Sequence, residues 1–477
     1  MYSDFLSMHS EWALTLVLLV VFFYDLLAVG RLRRIFHSLV CGLMLCYLLF
    51  SAWNLESGGD LSLFGGMYVS TSIANLMKII LGLGTLIVFL FASEWLHSEE
   101  NRLKQGEFYV LVLSTLLGMN FMLSSGHFLL FFIGLELASI PMSTLVAFDK
   151  FRHHSAEAGA KYILTALFSS GLMLFGLSFL YGSTGTLYFS DLALRLSASP
   201  LELLSLAFFL AGMGFKLSLV PFHLWTADSY QGAPTPVAAY LSVVSKGAAA
   251  MALMGILMHV FPVMIQKWQL ALQVLIVVTI TLGNLMALRQ TDLKRFMAFS
   301  SVSQAGYILL AMLQGLPSGE TALVYYILVY LAANLAVFGV IGVVERQTGR
   351  TCRDDYNGFA EAHPRLAFVM MLGLFSLAGI PPFSGFFSKF FVFMSAAGGG
   401  FYPVLLIALL NTVISLYYYL LLVRAMYITP SDVGTGAAIS EKMCLGWGVR
   451  LAFALCLGGI LLLGLAGSVY EFIDTMN

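Results

Sequence analysis

Residues Gly214–Ala249 read GFKLSLVPFHLWTADSYQGAPTPVAAYLSVVSKGAA. The stretch is apolar enough for a bilayer, yet it carries two lysines, Lys216 and Lys246, and a proline, Pro221, close behind the first. Proline removes a backbone donor and clashes with the preceding turn, so a helix kinks or unwinds there. Unwound backbone at membrane depth is tolerated only against protein or water. This stretch therefore predicts a multi-span helical bundle with a polar interior.

A second stretch, SLAGIPPFSGFFSKF at 376–390, repeats the device with Gly379, Pro381, Pro382 and Lys389. Broken helices in corresponding halves of a membrane chain point to an ion-handling site. A packing kink of the kind Gly and Pro often make is the plainer alternative. A lysine beside both breaks argues against it.

The whole chain agrees with a lipid solvent. Of its 477 residues, 60% are hydrophobic and 10% charged, and the mean hydropathy is +0.90. Globular chains carry about 25% charge, and a soluble protein this apolar would aggregate. Net charge is −1, which leaves no basic surface for nucleic acid. The five cysteines show no paired spacing, and neither a metal-ligand motif nor a phosphate-binding glycine loop is present. No metal site is expected.

Fourteen apolar segments are predicted, at 11–29, 36–52, 69–96, 107–122, 126–147, 159–182, 203–225, 236–260, 268–288, 296–314, 319–344, 364–397, 401–427 and 448–469. The third and twelfth are long, so tilt, a break or a polar end must absorb the excess. With the N-terminus outside, eighteen Lys and Arg fall in inner connections, from Arg31 through Lys161, Lys294 and Lys442 to Arg450. Only Arg195 and Lys267 fall outside. That bias follows the positive-inside rule and puts both termini on the outer side.

Four lysines remain inside apolar segments: Lys78, Lys216, Lys246 and Lys389. One carboxylate, Glu136, joins them in LLFFIGLELASIP. Each charge at bilayer depth costs about 2.5–3.5 kcal/mol on insertion scales, and such residues usually serve transport. A lysine can instead snorkel its stem to an interface, and for Lys78 both readings stay open. Desolvation disfavours the charged forms of lysine and glutamate alike, whereas bringing the two together restores both charges. Such a pair can trade protons as its spacing changes. Candidate relay hydroxyls are Ser218, Thr235, Ser242, Ser245, Ser384 and Ser388. His223, beside the break, is a further candidate relay. His259, near a segment end, reads first as an interface residue.

These residues resemble a known family. GLELASIP at 134–141, the 214–249 run, the 376–390 run and the fourteen-segment plan are similar to the antiporter-like membrane subunits of bacterial respiratory complex I, nearest its subunit N branch. The resemblance covers about residues 70–427. It implies an all-α integral membrane protein with two inverted five-helix units, each containing a broken helix. The implied divisions are 1–106, 107–260, 261–427 and 428–477. It also implies proton-translocating roles for Glu136, Lys216, Lys246 and Lys389, with helix breaks at Pro221, Gly379, Pro381 and Pro382. The resemblance assigns Lys78 no role, so its part as a possible relay stays open. The implied activity is proton translocation driven by NADH-to-quinone electron transfer in the bacterial inner membrane. The chain itself is implied to hold no cofactor, with FMN, iron–sulfur clusters and quinone on partner subunits. The implied partners are the other membrane-arm subunits, including further antiporter-like and small membrane subunits. A subunit of a multisubunit cation/proton antiporter, or of a membrane-bound hydrogenase or ferredoxin-linked complex, shares the broken helices and stays open at this point.

Overall fold

The computed structural model describes residues 2–27, 31–55, 60–150, 152–315, 317–428, 443–465 and 467–476. Lys442, counted among the inner basic residues, lies outside them. The described residues are almost entirely helical, and twelve of the helices are long and apolar enough to cross a membrane. Two three-residue strands, Leu61–Leu63 and Tyr68–Ser70, pair antiparallel and depart from an all-helical chain. They also explain the over-long third segment, because its helix begins only at Ser72.

Two predicted segments are not among the twelve. The segment at 364–397 is two helices, Pro364–Ala378 and Ser384–Gly398, so a break absorbs its length. The segment at 296–314 is one helix, Leu293–Met312, long enough but rich in buried polar residues. The segment at 203–225 is likewise split, into Pro200–Leu217 and Leu224–Gly232.

Local chemistry sets these boundaries. Ser199 and Glu202 form a reciprocal capping box ahead of Pro200, satisfying donors that a helix start leaves free. Asp292 caps Leu293–Met312 by accepting from the Arg295 amide at 2.9 Å. Gly185 and Gly349 end two long helices in the left-handed conformation, which glycine adopts without strain.

Three helices form the centre. Ser72–Leu96, Thr235–His259 and Ser318–Thr348 bury 83%, 89% and 89% of their apolar windows, whereas His9–Leu27 buries 28%. The peripheral helices turn large apolar side chains such as Phe23, Leu164 and Phe168 outward. On a soluble protein such a surface would be an aggregation liability, and in a bilayer it faces lipid. Lys78, Lys246 and their neighbours thus sit on the innermost helices.

Candidate functional site

The first break follows Lys216. Helix Pro200–Leu217 ends at Ser218, whose backbone is left-handed (φ +60°). The Leu219 amide closes back onto the Gly214 carbonyl at 2.8 Å, and the Val220 amide finds the Thr279 hydroxyl at 3.1 Å. Trp225, beyond the break, donates its indole N–H to the Phe215 carbonyl at 3.1 Å. The freed backbone is therefore satisfied by protein, as membrane depth demands. Lys216 occupies the last helical turn, where the axial dipole favours a cation. Its amine is buried and makes no hydrogen bond, and the same holds for Glu136 Oε1. No ion pair joins the two, although the Glu136 charge acts on Lys216. They make no direct contact. His223 is buried beside the break with both ring nitrogens unpartnered.

Lys246 follows a π-helical turn, Leu241–Ser245, within the central helix. Such turns are rare and frequently mark functional positions. The amine is buried. It donates to Ser301 Oγ at 2.5 Å and lies 5.7 Å from the Tyr230 ring centroid. Ser242 sits within bonding distance of Asn334 Oδ1, at 3.0 Å. Ser245 is buried beside it on the same turn.

The second break falls between Ala378 and Ser384, with Gly379 left-handed (φ +85°). Lys389 reaches back across it and donates to the carbonyls of Leu377 at 2.9 Å and Ala378 at 3.1 Å. These carbonyls belong to the end of the preceding half-helix, which has no intrahelical donors left for them. A β-carbon at Gly379 would lie 3.0 Å from Lys389 Cδ, so glycine leaves room for the lysine stem. Ser388 donates to the Gly385 carbonyl at 3.0 Å, and its side chain lines a small void with Lys389, Gln304 and Tyr326.

The helix Leu293–Met312 runs between these centres, and the sequence reading gave it no role. Its Ser301 partners Lys246. One turn on, Gln304 donates to Tyr419 Oη at 3.3 Å and to the Leu377 carbonyl at 3.4 Å, and accepts from the Tyr326 hydroxyl. Leu377 O is shared with Lys389. A polar seam of Ser300, Ser301 and Gln304 therefore lies between Lys246 and Lys389. Its sequence signal was FSSVSQ at 299–304, a polar run inside a segment required to be apolar.

Lys78 has partners of its own. It forms a buried ion pair with Glu11 at 2.7 Å, and Tyr68 donates to the other Glu11 oxygen at 2.7 Å. Asn75 Oδ1 accepts from Lys78 at 3.2 Å. Glu136 is therefore not the lone carboxylate inside the bundle that the sequence suggested, and Glu11 is the more deeply buried of the two. Nor does Lys294 lie in a connection: it is buried on its helix, 3.0 Å from Glu345.

A family model described as NADH:quinone oxidoreductase/Mrp antiporter, TM, matches residues 125–415. NADH-quinone oxidoreductase subunit N of Phocaeicola vulgatus is 56% identical over 98% of both chains. Its counterpart in Azobacteroides pseudotrichonymphae is 50% identical over 100% of this chain and 98% of that one. Among solved structures, a chain of respiratory complex I from Thermus thermophilus with bound aureothin superposes with a TM-score of 0.78 at 28% identity, covering 98% of each chain. A chain of the Mrp complex from Dietzia gives a TM-score of 0.82 at 24% identity over 98% of this chain and 96% of that one, a likeness of fold.

Proposed function

The chain belongs to the NADH:quinone oxidoreductase/Mrp antiporter membrane family, and from that premise we propose that it is the proton-translocating, antiporter-like subunit of a bacterial NADH-quinone oxidoreductase. The observation that carries the reading is the set of three buried amines, Lys216, Lys246 and Lys389, two of them beside broken helices. The chain supplies protonatable groups and a polar seam. The redox groups, FMN, iron–sulfur clusters and quinone, belong to partner subunits.

The mechanism follows from spacing and burial. Glu136 and Lys216 each strengthen the other's charge when close and weaken it when apart. Moving one proton against 100 mV takes about 2.3 kcal/mol. Two unit charges 4 Å apart at an effective dielectric of 20 attract by about 4 kcal/mol. Making or breaking one such contact is therefore enough to drive a proton from Lys216 toward Lys246. The Ser301–Gln304 seam then bridges Lys246 to Lys389, and His223, Ser245 and Ser388 lie where they can carry or orient the proton.

Fourteen spans, two inverted five-helix units at 107–260 and 261–427, and both termini on the outer face of the inner membrane complete the reading. The alternative, an antiporter without a redox partner, rests on a likeness of fold, whereas relatives at 50–56% identity carry the quinone oxidoreductase name.

Lys246→Met in the assembled complex tests the proposal. NADH-driven proton uptake by inverted membrane vesicles should fall at least tenfold at matched complex content. Unchanged uptake would overturn the reading.

A further inference from the structure

The turn that carries Lys216 is closed against its own backbone preference. The Ser218 amide donates to the Phe215 carbonyl at 2.9 Å and the Leu219 amide to the Gly214 carbonyl at 2.8 Å. This paired closure ends a helix on a left-handed residue, most often glycine. Any other residue is strained there, because its β-carbon crowds the following carbonyl. Here the residue is Ser218, at φ +60°, and its buried hydroxyl makes no hydrogen bond. Its side chain therefore does not hold the turn in place.

A residue from another helix does. The Val220 amide donates to Thr279 Oγ1 at 3.1 Å, across 59 positions of sequence. The other bonds that close the break come from Ser218, Leu219 and Trp225, within the stretch itself. Val220 and Thr279 are both buried, and the next residue, Pro221, has no amide to offer. Lys216 makes no hydrogen bond of its own. The position of its amine therefore follows from the turn, and the turn is tied to Thr279.

Thr279 is a firm anchor. Its helix, Ile265–Leu288, lies close against Leu293–Met312: a β-carbon at Gly283 would stand 2.8 Å from the Ser303 amide nitrogen. Asn284 on the same helix donates to the Asn411 carbonyl at 3.1 Å and accepts from the Tyr418 hydroxyl at 3.0 Å. The neighbouring helix Leu293–Met312 carries Ser301, the partner of Lys246, and Gln304, which shares the Leu377 carbonyl with Lys389. The Val220–Thr279 bond thus registers the first break against the helix pair that serves the other two amines.

We propose that Thr279 is a positioning residue for Lys216: by holding the Val220 amide it keeps the strained turn closed and sets the spacing between Lys216 and Glu136. Its hydroxyl carries no proton and acts through the break. Without the bond, Ser218 is free to leave the left-handed conformation and Lys216 moves with the last helical turn. A pair whose charges depend on distance then loses its setting. The inference rests on the proton-translocating reading and adds to it a residue outside the lysine-bearing helices.

Inverted vesicles containing the intact complex test it, at matched complex content. Thr279→Val keeps the shape and removes the acceptor, so uptake should fall about fivefold, whereas Thr279→Ser restores an acceptor and should retain at least about half the native rate. Independent effects add in free energy, so a merely structural loss would multiply with the loss caused by Glu136→Gln. A residue that works through the Lys216–Glu136 spacing has nothing left to act on once that charge is gone. Thr279→Val combined with Glu136→Gln should therefore take up protons as fast as Glu136→Gln alone. The product of two separate losses, native uptake by Thr279→Val, or native uptake by Glu136→Gln would each overturn the proposal. Should valine prevent assembly, Thr279→Ala replaces it with the same expectations, and failure of both to assemble would leave Thr279 a structural role only. Lys246→Met separates this inference from the reading beneath it. If Lys246→Met abolishes uptake while Thr279→Val pumps normally, the positioning role falls and the subunit's function stands. If Lys246→Met pumps normally, the functional reading itself fails.

Discussion

Lys78 and Glu11 form an ion pair at 2.7 Å, with side chains 0% and 2% exposed. The pair ties the helix His9–Leu27 to the central helix Ser72–Leu96. Removing one partner of such a pair strands the other charge, at a cost of about 3–5 kcal/mol, whereas replacing both is often close to neutral. Lys78→Met should therefore lower the thermal stability of the purified complex markedly, and Glu11→Gln in the same chain should recover most of the loss. A double variant no more stable than Lys78→Met would show that the two charges are not coupled.

Gly385 marks where the second broken helix tolerates no side chain. Its amide donates to Ser376 Oγ at 3.1 Å, and a β-carbon there would stand 1.7 Å from the Ser376 carbonyl oxygen. That contact is with backbone, so the two half-helices must separate to admit it. Overpacking commonly costs about 1–3 kcal/mol, and a backbone clash this close should reach or pass the upper figure. Gly385→Ala should reduce assembled complex and displace Lys389. Gly458→Ala, which meets open space, should leave complex content unchanged on native gels.

Much of this was legible along the chain because lipid is an unforgiving solvent. Pro221 and Pro381–Pro382 interrupt apolar runs, so the breaks could be placed before any contact was known. The lysines stood out because each is costly in oil. Partners were another matter. Glu11 opens the first apolar segment, where a carboxylate reads as interfacial, and only the packing of that helix against Arg31–Leu55 and Gln105–Leu123 shows it buried. Ser301 lies 55 residues from the lysine it binds. Glu345 and Lys294 sit near helix ends, where charge is expected, so their pairing had no local signature. Sequence reports which residues are out of place in a membrane; which of them face each other depends on helix rotation.

Glu136 and Lys216 are held apart, each with a polar atom that makes no hydrogen bond. If translocation works by bringing them together and separating them, the charge matters more than the shape. Glu136→Gln should lower NADH-driven proton uptake about tenfold, the effect of about 1.4 kcal/mol on a rate, and leave complex content near the native level. Glu136→Asp should recover part of the rate. Equal uptake by Glu136→Gln and the native chain would remove Glu136 from the mechanism.

Gln304 decides how freely Lys389 can respond. Its amide holds Tyr326, Tyr419 and the Leu377 carbonyl, and that carbonyl also accepts from Lys389. Leucine at 304 would strand buried hydroxyls at about 1–3 kcal/mol each, lowering both stability and uptake. Glutamate at 304 acts differently. It can still accept from Tyr326, and it sets a fixed negative charge beside an amine whose present acceptors are neutral carbonyls. The charge should pin the Lys389 proton in place. Gln304→Glu should therefore assemble better than Gln304→Leu yet pump no better, with proton uptake in vesicles and complex content on native gels read from the same membranes. Native-level pumping by Gln304→Glu would mean that protons do not pass through Lys389.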